Sequence, residues 1–123
     1  NGRKNPSLSK YSKSCFWRWG DGGVLIQMNT NPLPDEITDW ATRYVESKKE
    51  LGEKMMGDQT TSIKYKDFDG PGVQNIYSGE LDRYYSVVNE GLIVGLVFNG
   101  DISTRKKTKI AQELLSKVFK GLN

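Results

Sequence analysis

The sequence predicts an α+β fold, an antiparallel sheet of five to six strands with two long helices packed on it. Three observations carry that prediction. Gly91 to Phe98 is a long apolar run without a charge, closed by Asn99-Gly100; a strand covered on both faces has this composition, and the Val and Ile content and flanking glycines favour strand over helix. Two stretches, around Ile37 to Met55 and Ile110 to Leu122, repeat apolar residues at spacings of three and four, as amphipathic helices do. The remainder consists of short alternating runs separated by Gly-, Asn- and Asp-rich turns.

Taken in order, residues 1–14 are polar and basic and read as a flexible tail, since they bury too little apolar surface to fold alone. The rest, 15–123, reads as a single domain. Cys15 to Trp19 alternates, with Cys15, Trp17 and Trp19 on one side and Phe16 and Arg18 on the other. Gly20-Asp21-Gly22-Gly23 turns the chain into Val24 to Met28, giving a β-hairpin. Pro34 suits a first helical position and Asp35 and Glu36 the positive helix end, so a helix of about five turns is expected through Met55, with Gly52 weakening it or ending it early and Gly57 the firmer stop. Strands follow over Thr61 to Lys66, Val73 to Ser78 and Leu81 to Val88, and Asn89-Glu90-Gly91 turns into the apolar strand. Asp101 or Ser103 caps the closing helix, and Gly121 ends it. Two helices with wide apolar stripes need a sheet to lie on; one on each face would cover the central strand twice, as its composition asks, and both on one face stays open.

Composition narrows the function classes. The net charge of +3 comes from Arg3, Lys4, Lys10 and Lys13 in the first fourteen residues, and the body is near neutral. That distribution argues against a broad phosphate-binding face, so nucleic acid is not an expected partner. No apolar run approaches the roughly 20 residues that cross a bilayer as a helix. Cys15, the single cysteine, excludes an internal disulfide and reads as a buried structural thiol. Histidine is absent, which removes the commonest general base and metal ligand and any Ser–His–Asp arrangement.

No catalytic constellation, metal set or cofactor is expected. Asp67, Asp69, Glu80 and Asp82 are the acids near turns, where solvated carboxylates are common. Asp67-Phe68-Asp69-Gly70 lacks the further ligands of a calcium loop, with Pro71 at the fifth position and Ser78 at the twelfth. The binding candidates are Trp19, Tyr84, Tyr85, Arg105, Lys106, Lys107 and Lys109. The last four crowd the start of the closing helix, where cations oppose the helix dipole and would be compensated by an acidic partner, phosphate or lipid. Trp19 and one of the Tyr84/Tyr85 pair are the aromatic surface candidates, because adjacent strand residues point to opposite faces of a one-sided sheet. Trp17 and Trp40 are expected to pack between hairpin and first helix.

The order hairpin, helix, antiparallel strands, closing helix resembles the PsbP-like fold. The likeness spans Phe16 to Met28, the helix Ile37 to Met55, Tyr77 through Phe98 and the helix Ile110 to Leu122. The resemblance implies a non-enzymatic accessory domain that works by protein–protein contact, in bacteria commonly exported to the periplasm or cell envelope and lipid-tethered, with residues 1–14 as its linker. A cytoplasmic setting stays open. Two alternatives stand beside it: an immunity-type inhibitor of a toxin, and a binder of a small anionic ligand or membrane surface through the 105–109 cluster.

Overall fold

The computed structural model describes residues 2–4, 12–20, 22–54 and 62–122, of which 2–4, 12–14, 19, 53 and 54 are described in backbone only. The elements run β1 (Gly2–Lys4), β2 (Ser12–Trp19), β3 (Gly22–Thr30), α1 (Trp40–Glu50), β4 (Glu53–Lys54), β5 (Ser62–Ile63), β6 (Lys66–Asp67), β7 (Asn75–Ser78), β8 (Arg83–Asn89), β9 (Leu92–Asn99) and α2 (Thr104–Gly121). Seven of the described strands form one antiparallel sheet in the order β1-β2-β3-β9-β8-β7-β6, and β4 and β5 form a separate pair. The expected count of five to six is exceeded because the short strands β1 and β6 extend the two edges.

The apolar run Leu92 to Phe98 is the fourth strand of the seven. Its side chains alternate between two separate cores, as a central strand's must. Val94, Leu96 and Phe98 join Val24, Ile26, Tyr84, Ala111 and Leu115 under α2. Ile93 joins Ile76, Tyr85, Val87, Ala41 and Val45 under α1. One helix therefore covers each face. Gly95 lies beneath the Tyr85 ring: a Cβ placed there would stand 3.0 Å from a ring carbon, so the aromatic fills the space that a side chain would take.

Several boundaries move from the sequence reading. The first helix spans three turns instead of five. It opens at Trp40, because residues 34–36 form a turn in which Glu36 and Ile37 N–H both donate to the Leu33 carbonyl. It ends before Gly52, which has φ +70° and is pressed so closely on the Ile63 backbone that a Cβ would meet its carbonyl at 2.4 Å. Gly57, the stop expected from sequence, lies outside the described residues, as does Met55. The Thr61 to Lys66 strand is interrupted into β5 and β6. The backbone of Gly2–Lys4 pairs with β2, and β2 begins at Ser12, so the border placed at residue 14 falls inside a strand; residues 5–11 and the side chains of 1–14 lie outside the description. Ser103 is the cap of α2, its hydroxyl accepting the Lys106 N–H.

α1 has no cap of its own, since the Asp39 side chain makes no capping bond and pairs instead with Arg43. The cap comes from the β8–β9 turn, where the Glu90 carboxylate accepts both the N–H and the hydroxyl of Thr42. Those two bonds, the hydroxyl first, hold the Glu90 carboxyl below the usual glutamate range. A carboxyl depressed on folding contributes stability that is present above its unfolded pKa and lost as pH falls through the folded value. Glu90→Ala is therefore expected to lower the thermal midpoint at pH 7, and its deficit against the parent should shrink below about pH 4. Equal deficits in melts at both pH values would remove the cap.

Candidate binding surface

Among the sequence candidates, the structure scatters what the sequence grouped. Tyr84 is fully buried on the α2 side, stacked on Tyr77 and edge-on to Phe68 and Phe98. Its hydroxyl sits 2.7 Å from the Thr108 hydroxyl and donates to the Thr104 carbonyl at 3.3 Å, and burial pushes its pKa up. Tyr85 is buried on the other side, against Tyr44 and Tyr65. The expectation that one of this pair faces solvent is corrected: it assumed a one-sided sheet, and in a sheet covered twice both neighbours are core. Trp19 is a residue of β2 whose side chain lies outside the description. Trp17 and Trp40 do not meet, since Trp17 is on the α2 side in register with Val24 and 37% exposed, while Trp40 packs at the margin of the α1 core.

The basic cluster is also divided. Arg105, Lys106 and Lys109 are exposed. Lys107 is buried; its ammonium pairs with the Asp82 carboxylate and donates to the Gly79 carbonyl at 3.2 Å. Asp82 occupies the left-handed region at φ 58°, and its carboxylate meets the Lys107 ammonium from α2. A cleft of about 290 Å³ opens beside this end of α2, lined by Lys64, Lys66, Tyr77 and Thr104 among others. The turn acids do not converge: Asp67 pairs with Lys49 at 2.9 Å, Asp82 with Lys107, and among the described residues no three His, Cys, Asp or Glu lie together as a metal set. Cys15 is half-buried and packs against the α2-side core. Lys48 has its ammonium about 5 Å from the ring centres of Tyr44, Tyr65 and Tyr85, a cation–π arrangement made within the chain.

The surface that emerges instead is on the α1 side of the sheet. Its 11 residues make α1 about 16 Å long and about 10 Å wide, or roughly two strand spacings. It covers β7, β8 and the Ile93 end of β9. The register carries one cross-strand row beyond it: Phe16 on β2 opposite Leu25 on β3, Leu25 opposite Val97 on β9, and Val97 opposite Arg83 on β8. Phe16, Leu25 and Val97 are half-buried and belong to neither core. Arg18, one step along the same face of β2, is exposed and lies over the Phe16 ring at 5.3 Å. Together Phe16, Arg18, Gly20, Gly22 and Asn99 line a shallow concavity of about 240 Å³. On the β1 side, Arg3 stands in register with Phe16.

The alternation of Phe16 and Arg18 against Cys15 and Trp17 was readable in the sequence. What was not readable was that Leu25 and Val97 would fall beside Phe16, because strand register between distant segments does not follow from the local pattern. Fold and surface together define an α+β domain with a two-sided central strand and an apolar, arginine-bordered half-face. No protein-family model matches the chain, and no curated protein and no solved structure is significantly similar to it.

Proposed function

We propose that the protein is a non-enzymatic binding domain that acts by protein–protein contact through the half of the α1-side face that no helix covers among the described residues. The observation behind this reading is the row Phe16–Leu25–Val97, three apolar side chains half-buried side by side on strands that α1 does not cover. Apolar groups collected on one face contribute to folding only if something covers them, and a contiguous apolar patch is the usual mark of a contact site. The arginines at its margin are the type of residue that anchors such interfaces. An exported accessory role, as the PsbP-like likeness implies, and toxin inhibition both belong to this class.

Affinity capture from the source cell tests it, comparing the wild-type chain, a face variant carrying Leu25→Glu and Val97→Glu, and a control altered at the exposed α2 residues Glu113→Ala and Lys117→Ala. A partner held by wild type and control and reduced at least tenfold on the face variant is expected, with circular dichroism showing all three folded. Equal recovery of that partner on the face variant would overturn the assignment of this surface.

A further inference from the structure

We infer that Asn99 is a self-modification site: with Gly100 it cyclises and hydrolyses to a mixture of aspartate and isoaspartate while the protein is folded, whatever the α1-side surface binds. The reaction needs three things at one asparagine: an unheld side-chain amide, a following backbone N–H outside any hydrogen-bond ladder, and no side chain crowding that nitrogen. Asn99 and Gly100 are both exposed at the end of β9. Among the described residues the Asn99 amide has no hydrogen-bond partner. The bonds from β9 toward β8 end where the Phe98 N–H donates to the Asp82 carbonyl at 2.8 Å; the Gly100 N–H lies past that point and makes no backbone bond among the described residues. Gly100 has φ +108°, a conformation that glycine adopts freely, and it carries no Cβ beside the attacking nitrogen.

Each other described asparagine lacks one of these conditions. Asn31 is buried, its amide is held by the Ile37 carbonyl and the Leu33 N–H, and Pro32 after it has no N–H to react. Asn75 is tied to Gly70, Gly72 and Ser86. The Asn89 side-chain oxygen accepts the Gly91 N–H, and Glu90 follows it. Asn29 lies within the β3 ladder opposite Ile93 and precedes the β-branched Thr30.

In the first step the Gly100 nitrogen attacks Cγ of Asn99 and gives up its proton; the N–Cγ bond forms, the Cγ–Nδ2 bond breaks, and ammonia leaves. Water then opens the cyclic imide at either carbonyl. One opening leaves aspartate in the ordinary main chain, and the other routes the main chain through Cγ as isoaspartate. The sum is amide plus water to carboxylate plus ammonium. Pairing with Gly23 holds Asn99 in extended backbone, which the attack must leave, so the reaction proceeds when this end of β9 frays. The new carboxylate falls in the concavity that Asn99 lines with Phe16 and Arg18, and the exposed Asp101 follows two residues on.

Incubation of the folded chain at mildly alkaline pH, followed by tryptic peptide mapping, tests the inference. Asn89 and Asn99 share the peptide 84–105, so fragment spectra assign the site, and the other Asn-Gly pair, Asn1-Gly2, is read in a separate peptide. Asn99 is expected to lose its amide at least fivefold faster than Asn29, Asn31, Asn75 or Asn89. Its segment is expected to accept methyl groups from S-adenosylmethionine through an isoaspartate carboxyl methyltransferase. Asn99→Gln, whose longer side chain closes a larger ring slowly, is expected to abolish that labelling with an unchanged circular dichroism spectrum. A sample unfolded in urea gives the unconstrained rate, and the folded chain is expected to react more slowly than that by the fraction of time β9 is frayed. An Asn99 amide lost no faster than the other four in the folded chain, or lost only in urea, would overturn the inference. Labelling of the segment that survives in Asn99→Gln would do the same.

Discussion

Ile93→Ala and Leu96→Ala are each expected to destabilise the protein by about 2–5 kcal/mol in urea or thermal unfolding, the range for removing a large aliphatic side chain from a packed core. The two residues are odd and even positions of one strand, both 0% exposed, and they sit in different cores. A sheet covered on one side would tolerate truncation at alternate positions, since every second side chain would face water. The two-sided arrangement leaves no tolerant parity through the middle of β9. Val97→Ala provides the internal comparison: Val97 is half-buried and outside both cores, and its truncation is expected to cost about 1 kcal/mol or less. A cost within about 0.5 kcal/mol for Ile93→Ala would show that α1 does not seal its face.

Lys107→Met is expected to cost about 1–3 kcal/mol, far more than the same change at Lys106 or Lys109. The Lys107 side chain is 5% exposed and its ammonium satisfies both Asp82 and the Gly79 carbonyl. Methionine keeps most of the stem's packing, so the loss isolates the charge and its hydrogen bonds. Breaking a fully buried ion pair by removing one partner costs more than this, about 3–5 kcal/mol. Here the Asp82 side chain is 42% exposed, and water takes over part of the released charge. Denaturant unfolding of Lys107→Met, Asp82→Asn and the double variant measures the coupling. If the two single losses add in the double variant, the pair does not act as a clasp between the β7–β8 turn and α2. The residue also lies at the base of an exposed basic end, so the same variant separates stability from any role of Arg105, Lys106 and Lys109.

The closing helix was legible from its stripe and cap because Ala111, Leu115 and Ser103 act through local spacing, and the helix starts where the cap says. The first helix was over-read. Leu51 and Met55 continue a three-and-four spacing, yet Gly52 at φ +70° ends the helix, because contact with the Ile63 backbone leaves no room for a side chain. Tyr84 and Tyr85 were misread for a different reason: whether adjacent strand residues are both core depends on how many faces are covered, which is a property of the layers and not of the strand. Lys107 was placed with its charged neighbours because sequence proximity on a helix does not reveal which member of a cluster points at a distant acid.

The sequence alone determined the class of fold, the identity of the central strand and the amphipathic character of both helices, since hydrophobic periodicity and turn residues act over a few positions along the chain. The tertiary structure alone decided which face each helix takes, that Lys107 is an internal counter-charge, and that Phe16, Leu25 and Val97 line up beside one another on strands α1 leaves uncovered. Strand register and helix placement are settled by contacts between residues far apart in sequence, and those contacts set the apolar row beside its arginines.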